Sequence, residues 1–412
     1  MTSEEPSTGN GSGRVGARRI PLGVRRLALG VGLVLYTLVF AEGFLRVFDP
    51  QAVMPRYITS TPWGVRGNIP HARYWHHTPE VDVEYRINGQ GLRADQDFSL
   101  AKPAGTCRLG IFGDSFMFGL EADLRDTFAY QLEKRLRERG VPVQVLNFSV
   151  GGFGTAEMLR TYEAFGRKFD LDVALFSWDG SDLDDNVRSQ LFRLHDDALE
   201  PANPAYLPAV DFQDRLMRHG LYRFVNDHSQ LYTFVRDQAS RLAKARMTRE
   251  GKQDAAVAAD ADGAGAGENV DMDELQRKSA LALSTAILER AHDVVTADGS
   301  DFYVLDIPAR LSRTRFSSSI AILPAASLTN LNVIEVLPAL TRAARPDLKL
   351  YYERGQGHFT PVGTKILVDQ AIIALTSSPR LAACATRGAE SAVIRASASG
   401  GAALPQSSPE PP

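Results

Sequence analysis

Between residues 105 and 376, short apolar runs alternate with stretches in which apolar positions recur every three or four residues. The runs fall at 107–112, 143–149, 171–178, 301–307 and 348–353, each short enough for a strand buried on both faces. The amphipathic stretches, at about 126–139, 155–168, 220–246, 273–296 and 361–376, predict helices. In the first of these, Phe128, Leu132 and Leu136 share one face and Gly140 is placed to end the helix. The last opens with Thr360 as cap and Pro361 at the first helical position. Strands alternating with helices predict a central, mostly parallel sheet covered on both faces, a three-layer α/β/α sandwich of flavodoxin-like type.

Outside this region the pattern changes three times. Residues 1–24 are polar and rich in Ser and Gly, and read as a disordered cytoplasmic tail. Residues 25–48 begin with Arg25 and Arg26 and continue as an apolar run, approaching the length needed to cross a bilayer. Arginines on the leading side keep the N-terminus inside and send the rest across, as a signal-anchor helix in the inner membrane. Val39-Phe40-Ala41 also suits a cleaved signal peptide, and either reading exports the domain that follows. Residues 49–104 form a lead-in segment with several prolines and the alternating strand Val81–Ile87, read as a β-hairpin packing on the domain. His76 and His77, adjacent on an extended chain, point to opposite faces and read as solvated or stacking groups rather than a metal pair. Residues 249–274, rich in Ala, Gly and Asp, read as a flexible insertion, and 377–412 as a disordered tail.

Composition narrows the function classes. A net charge of −3, with no basic stripe interleaved with aromatics, argues against a nucleic-acid partner. Two cysteines, Cys107 and Cys384, make neither a disulfide framework nor a zinc site. They could pair in an oxidising compartment, although Cys384 falls in the tail expected to be disordered. No metal or cofactor is expected. The acidic run Asp179, Asp182, Asp184 and Asp185 lacks calcium-loop spacing and reads as a solvated turn.

The candidate chemistry starts at Gly113-Asp114-Ser115, directly after the run 107–112. A serine at the C-terminal end of a strand and before a helix stands where open α/β sheets keep their sites. His358, in Gly355-Gln356-Gly357-His358-Phe359-Thr360-Pro361, follows the last expected strand and is placed to serve as its base. Asn147-Phe148-Ser149-Val150-Gly151-Gly152-Phe153-Gly154 follows the second run. In order and spacing these three blocks resemble those of the SGNH (GDSL-type) hydrolases, over roughly residues 80–376, with a lead-in like that of membrane-anchored bacterial members. The resemblance implies Ser115 as nucleophile, His358 as base, and the Gly152 and Ser115 amides as oxyanion donors. It also places Ser181 where the family has an asparagine donor, with Asn186 as a fallback. The family's acid lies two or three residues before the histidine, where this chain has Gly355 and Gln356. Gln356 as a neutral orienter, or Glu353 bending inward, are the substitutes open to the sequence.

The function this implies is an exported serine esterase or O-acyl hydrolase, acting on acyl groups of a cell-envelope carbohydrate or lipid. Two other readings stay open. One is an acyltransferase supplied by a multi-span membrane partner; the other is a catalytically silent glycan-binding protein that keeps the cleft.

Overall fold

The computed structural model describes residues 21–261 and 272–386. Residues 1–20, 262–271 and 387–412, parts of the expected tails and insertion, lie outside the described residues. The chain divides into two units, ending and beginning at Asp49 and Pro50. The first contains helix α1, Leu22–Phe48, 27 residues long and apolar enough to cross a membrane. Its few charges sit near the ends: Arg25 and Arg26 at the start, and Glu42 paired with Arg46 at 2.8 Å.

The second unit opens with two hairpins where one was expected. β1 (Ile58–Ser60) pairs antiparallel with β2 (Arg66–Asn68), and β3 (Arg73–His77) with β4 (Asp82–Arg86). Along β3 the faces alternate: Tyr74 and His76 are buried, Trp75 and His77 exposed. Trp75 stacks on His77, two residues on and on the same face. The solvated, stacking reading therefore holds for His77. It fails for His76, which is fully buried.

The core sheet contains β5 (Cys107–Phe112), β6 (Val143–Asn147), β7 (Val173–Trp178), β8 (Asp301–Asp306) and β9 (Asn332–Glu335). The order is β9-β8-β7-β5-β6 and every pairing is parallel. Odd positions of β5, β7 and β8 (Leu109, Leu175, Leu305) enter one core layer with α2 (Phe128–Glu138) and α6 (Pro361–Leu375). Even positions (Phe112, Phe176, Phe302) enter the other, with α3 (Thr155–Ala164) and α5 (Met272–Ala297). Each of these three strands is apolar on both sides because each side meets a helix layer.

The structure corrects several sequence expectations. Residues 348–353 are not a sheet strand: Leu350 and Tyr351 pack into the core, and Tyr351 makes a single bridge to Phe359. The edge strand is instead the polar-looking Asn332–Glu335, in which Ile334 is buried in one core layer and Val333 half-buried against the other. The stretch 220–246 breaks at Ser229, between helices Gly220–His228 and α4 (Gln230–Ala261), which extends well into the expected flexible insertion. The acidic turn is not solvated, since Asp179, Asp182 and Asp185 are buried.

The C-terminal tail is also ordered as far as it is described. Residues 379–386 are helical, Leu381 and Cys384 are buried, and Cys384 forms a disulfide with Cys107, at a Cα–Cα distance of 5.9 Å. The bond ties the first core strand to a segment 277 residues on and so restricts the unfolded chain. Replacing both cysteines with serine should lower the unfolding free energy by about 2–4 kcal/mol, read from urea curves without reductant. An unchanged midpoint would show that the two cysteines are not bridged in the folded protein.

Candidate active site

β5 delivers the chain to the C-terminal edge of the sheet, where Gly113 must turn it. A Cβ there would lie 2.6 Å from both Met117 Cβ and Ser177 Oγ, so only glycine fits. Asp114 caps the single helical turn Ser115–Phe118 by accepting the Phe116 N–H at 2.9 Å. Ser115, at the start of that turn, is half-buried.

His358 arrives from the far end of the chain. The arm 348–352 and the segment 358–360 bond to each other, Tyr352 N–H to His358 O at 2.8 Å and Thr360 N–H to Leu350 O at 3.0 Å. This closes a loop just before α6 and presents the imidazole to the serine. His358 Nε2 lies 2.8 Å from Ser115 Oγ. Its other nitrogen, Nδ1, lies 3.1 Å from Glu121 Oε2.

Glu121 is the acid that the sequence reading missed. It sits six residues after the serine, fully buried, and also accepts the backbone N–H of His358 at 3.1 Å and of Gln356 at 2.8 Å. Gly355 makes room for it, because a Cβ there would fall 1.6 Å from Glu121 Oε1. Burial alone would raise the Glu121 carboxyl, but the His358 ring and the two N–H groups outweigh it and hold it below the usual carboxylate range. An ionised Glu121 fixes the neutral ring as the Nδ1–H tautomer, leaving Nε2 free to accept the Ser115 proton. Glu121 holds φ at +64°, a left-handed conformation that costs a residue with a side chain on the order of 1–3 kcal/mol.

The two substitutes expected from the sequence are placed elsewhere. Glu353 is exposed and bound to Arg310 (3.1 Å) and Arg313 (2.5 Å), so it does not reach the imidazole. Gln356 contributes its backbone N–H to Glu121, while the residue itself is exposed. A sequence signal for Glu121 did exist. It is the one charge in the run Phe116-Met117-Phe118-Gly119-Leu120-Glu121-Ala122, and an isolated carboxylate among apolar residues needs a partner once buried.

The oxyanion candidates divide in two. Among the described residues, the backbone N–H groups of Ser115 and Gly152 have no acceptor, and both residues are partly exposed. Gly152 is held by its carbonyl, which accepts from Arg66 at 2.5 Å. The Ser181 hydroxyl, by contrast, donates to Asp185 at 2.8 Å, and its N–H donates to Asp179. Asn186 is no fallback: it is buried, accepting from Thr155 and Ala156 and donating to Ser284. Asp114 and Asp182 are pushed well above the ordinary range, in each case by burial first and then by the nearby Asp179.

A cavity of about 160 Å³ is bounded by Phe116, Asp179, Ser181, Arg310, Tyr351 and Gly357. Its lining includes the chain neighbours of Ser115 and His358, and its size suits a small acyl group. The grouping Cys107, Asp172 and Cys384 is not a metal site, because the cysteines are bonded to each other and Asp172 accepts from Lys102 and the Arg108 N–H.

No protein-family model matches the sequence, and a search of curated proteins finds no match. Among solved structures the chain is similar to a lipase/acylhydrolase from Enterococcus faecalis (13% identity, 65% of this chain and 95% of that one, TM-score 0.33). It is similar to the acetylxylan esterase Axe2 from Geobacillus stearothermophilus (11%, 65% and 93%, TM-score 0.34) and to TesA (12%, 65% and 97%, TM-score 0.32). The parallel five-stranded sheet between two helix layers is the three-layer α/β/α fold expected from the sequence. The site differs from the pattern expected from the sequence in drawing its buried carboxylate from the turn after the serine instead of the loop before the histidine.

Glu121→Gln should therefore slow acylation of Ser115 by roughly two to four orders of magnitude, as loss of a triad acid does. Glu353→Gln and Gln356→Asp should change it by less than about threefold, since one is surface-bound and the other acts through its backbone. Stopped-flow acylation with an activated ester measures all three. A large loss in Glu353→Gln with none in Glu121→Gln would reverse the assignment.

Proposed function

We propose that the protein is a serine esterase or O-acyl hydrolase, exported and held at the membrane by α1, that removes small acyl groups from a cell-envelope carbohydrate or lipid. The observation that carries the reading is the continuous relay Ser115–His358–Glu121. Ser115 Oγ attacks the ester carbonyl while His358 Nε2 takes its proton. The negative charge that forms on the carbonyl oxygen is met by the Ser115 and Gly152 amides. His358 then protonates the departing alcohol, which leaves acyl-Ser115. Water, deprotonated by the same nitrogen, releases the acid and restores the serine. Glu121 stabilises the imidazolium in both halves. Export is supported by α1 and by the Cys107–Cys384 bond, because such bonds persist in oxidising compartments.

A second reading, a silent glycan-binding protein, has one observation in its favour: the Ser181 hydroxyl is committed to Asp185, leaving two oxyanion donors rather than three. Its other sequence argument, the absent acid, falls with Glu121.

The purified full-length chain, treated with a fluorophosphonate and with p-nitrophenyl acetate, separates the two. An esterase is labelled and turns over, and Ser115→Ala abolishes both. A folded wild type that neither labels nor turns over is the binder.

A further inference from the structure

We propose that Tyr85, backed by His76, is a positioning residue for the acid Glu121, so that the β3–β4 hairpin of the lead-in segment is part of the catalytic apparatus. The proposal rests on Glu121 as the acid.

Tyr85 is fully buried, and its hydroxyl accepts the Glu121 backbone N–H at 2.8 Å. The same oxygen lies 2.6 Å from His76 Nδ1. A phenol has one proton, and the Glu121 N–H already occupies a lone pair of the oxygen. With the His76 proton on Nε2, Nδ1 accepts the hydroxyl proton, which otherwise has no acceptor, and His76 is a neutral acceptor. Burial, the largest influence on His76, lowers its pKa to about 4, so it stays neutral through the working range. The titratable and charged groups facing this pair are Glu121, His358, Arg93, Tyr57, Tyr74 and His77.

Arg93, also from the lead-in, closes the arrangement from beneath. Its guanidinium stacks 4.3 Å from the Tyr85 ring centroid and donates to the carbonyls of Phe118, Gly119 and Ala122. The turn that carries Glu121 is thus held at its carbonyls by Arg93 and at the Glu121 N–H by Tyr85. Glu121 adopts a left-handed conformation that its own side chain disfavours, and the backbone-to-backbone bonds of residues 119–122 are all local, reaching no further than Ser115. An external grip on that one N–H sets where the carboxylate points.

Tyr85→Phe keeps the ring and removes the hydroxyl. In the full-length protein it should lower kcat about tenfold, with KM within about twofold, as expected for one positioning hydrogen bond. It should also move the acid limb of the kcat/KM profile to lower pH, because a misplaced Glu121 supports the imidazolium less. The far-downfield proton signal of His358 Nδ1–H should shift upfield with it. His76→Gln, which keeps an acceptor for the hydroxyl, should retain most of the rate, and His76→Leu should behave as Tyr85→Phe does. A role in stability alone would lower the melting temperature while leaving the acid limb and the proton signal in place, and that result overturns the proposal. If Tyr85→Phe does not fold, the His76 pair decides by the same readouts. Glu121→Gln run alongside separates the two levels: its collapse with an unaffected Tyr85→Phe refutes only the positioning role, whereas two unaffected variants refute the acid itself.

Discussion

A single buried carboxylate organises the site. An ionised group removed from water must find its hydrogen bonds inside the protein or lose its charge. Glu121 finds three: the imidazole Nδ1–H and the amides of Gln356 and His358. Those three donors lie some 235 residues away in sequence, so satisfying the charge welds the turn after the serine to the loop before the last helix. The same bonds select the histidine tautomer, orient its ring on Ser115, and require Gly355, where any side chain would displace the carboxylate.

The surrounding carboxylates show how environment decides the state of chemically similar groups. Asp114, Asp179 and Asp182 cluster at the same edge of the sheet, and all are buried. They meet one another rather than cations, so Asp114 and Asp182 are held toward the neutral form. Their work is local: Asp114 caps the serine turn, Asp179 accepts the Ser181 N–H, and Asp182 accepts the Asp179 N–H. Glu121 alone among them faces a base and two directed amides, and it alone is held below the usual range.

The lead-in segment is fastened to the core at two places. Arg108 on β5 is fully buried and donates to the carbonyls of Ser99, Leu100 and Phe169 and to Gln144, so the end of the lead-in is fastened to the sheet itself. At the other edge Tyr85 and Arg93 grip the turn of Glu121. Residues before the core strands thereby become structural to a site they do not form in sequence.

The amino-acid sequence by itself determined whatever depends on near neighbours along the chain. Four of the five sheet strands, their parallel orientation, the serine turn and the histidine loop follow from periodicity, apolar runs and turn chemistry, which act within a few residues. The edge strand Asn332–Glu335 was not legible, because its two apolar residues stand between exposed polar ones and the run is too short to stand out. Cys107–Cys384 and Ser181's commitment to Asp185 were likewise settled by packing, which decides distance and direction independently of spacing. The acid is the clearest case. A carboxylate needs only to arrive within hydrogen-bond reach of the imidazole, from any part of the chain, and no local rule says which one will. Proximity in sequence favoured Gln356 and Glu353; the tertiary fold buried Glu121 against the ring and left Glu353 in solvent with two arginines, where its charge is already met.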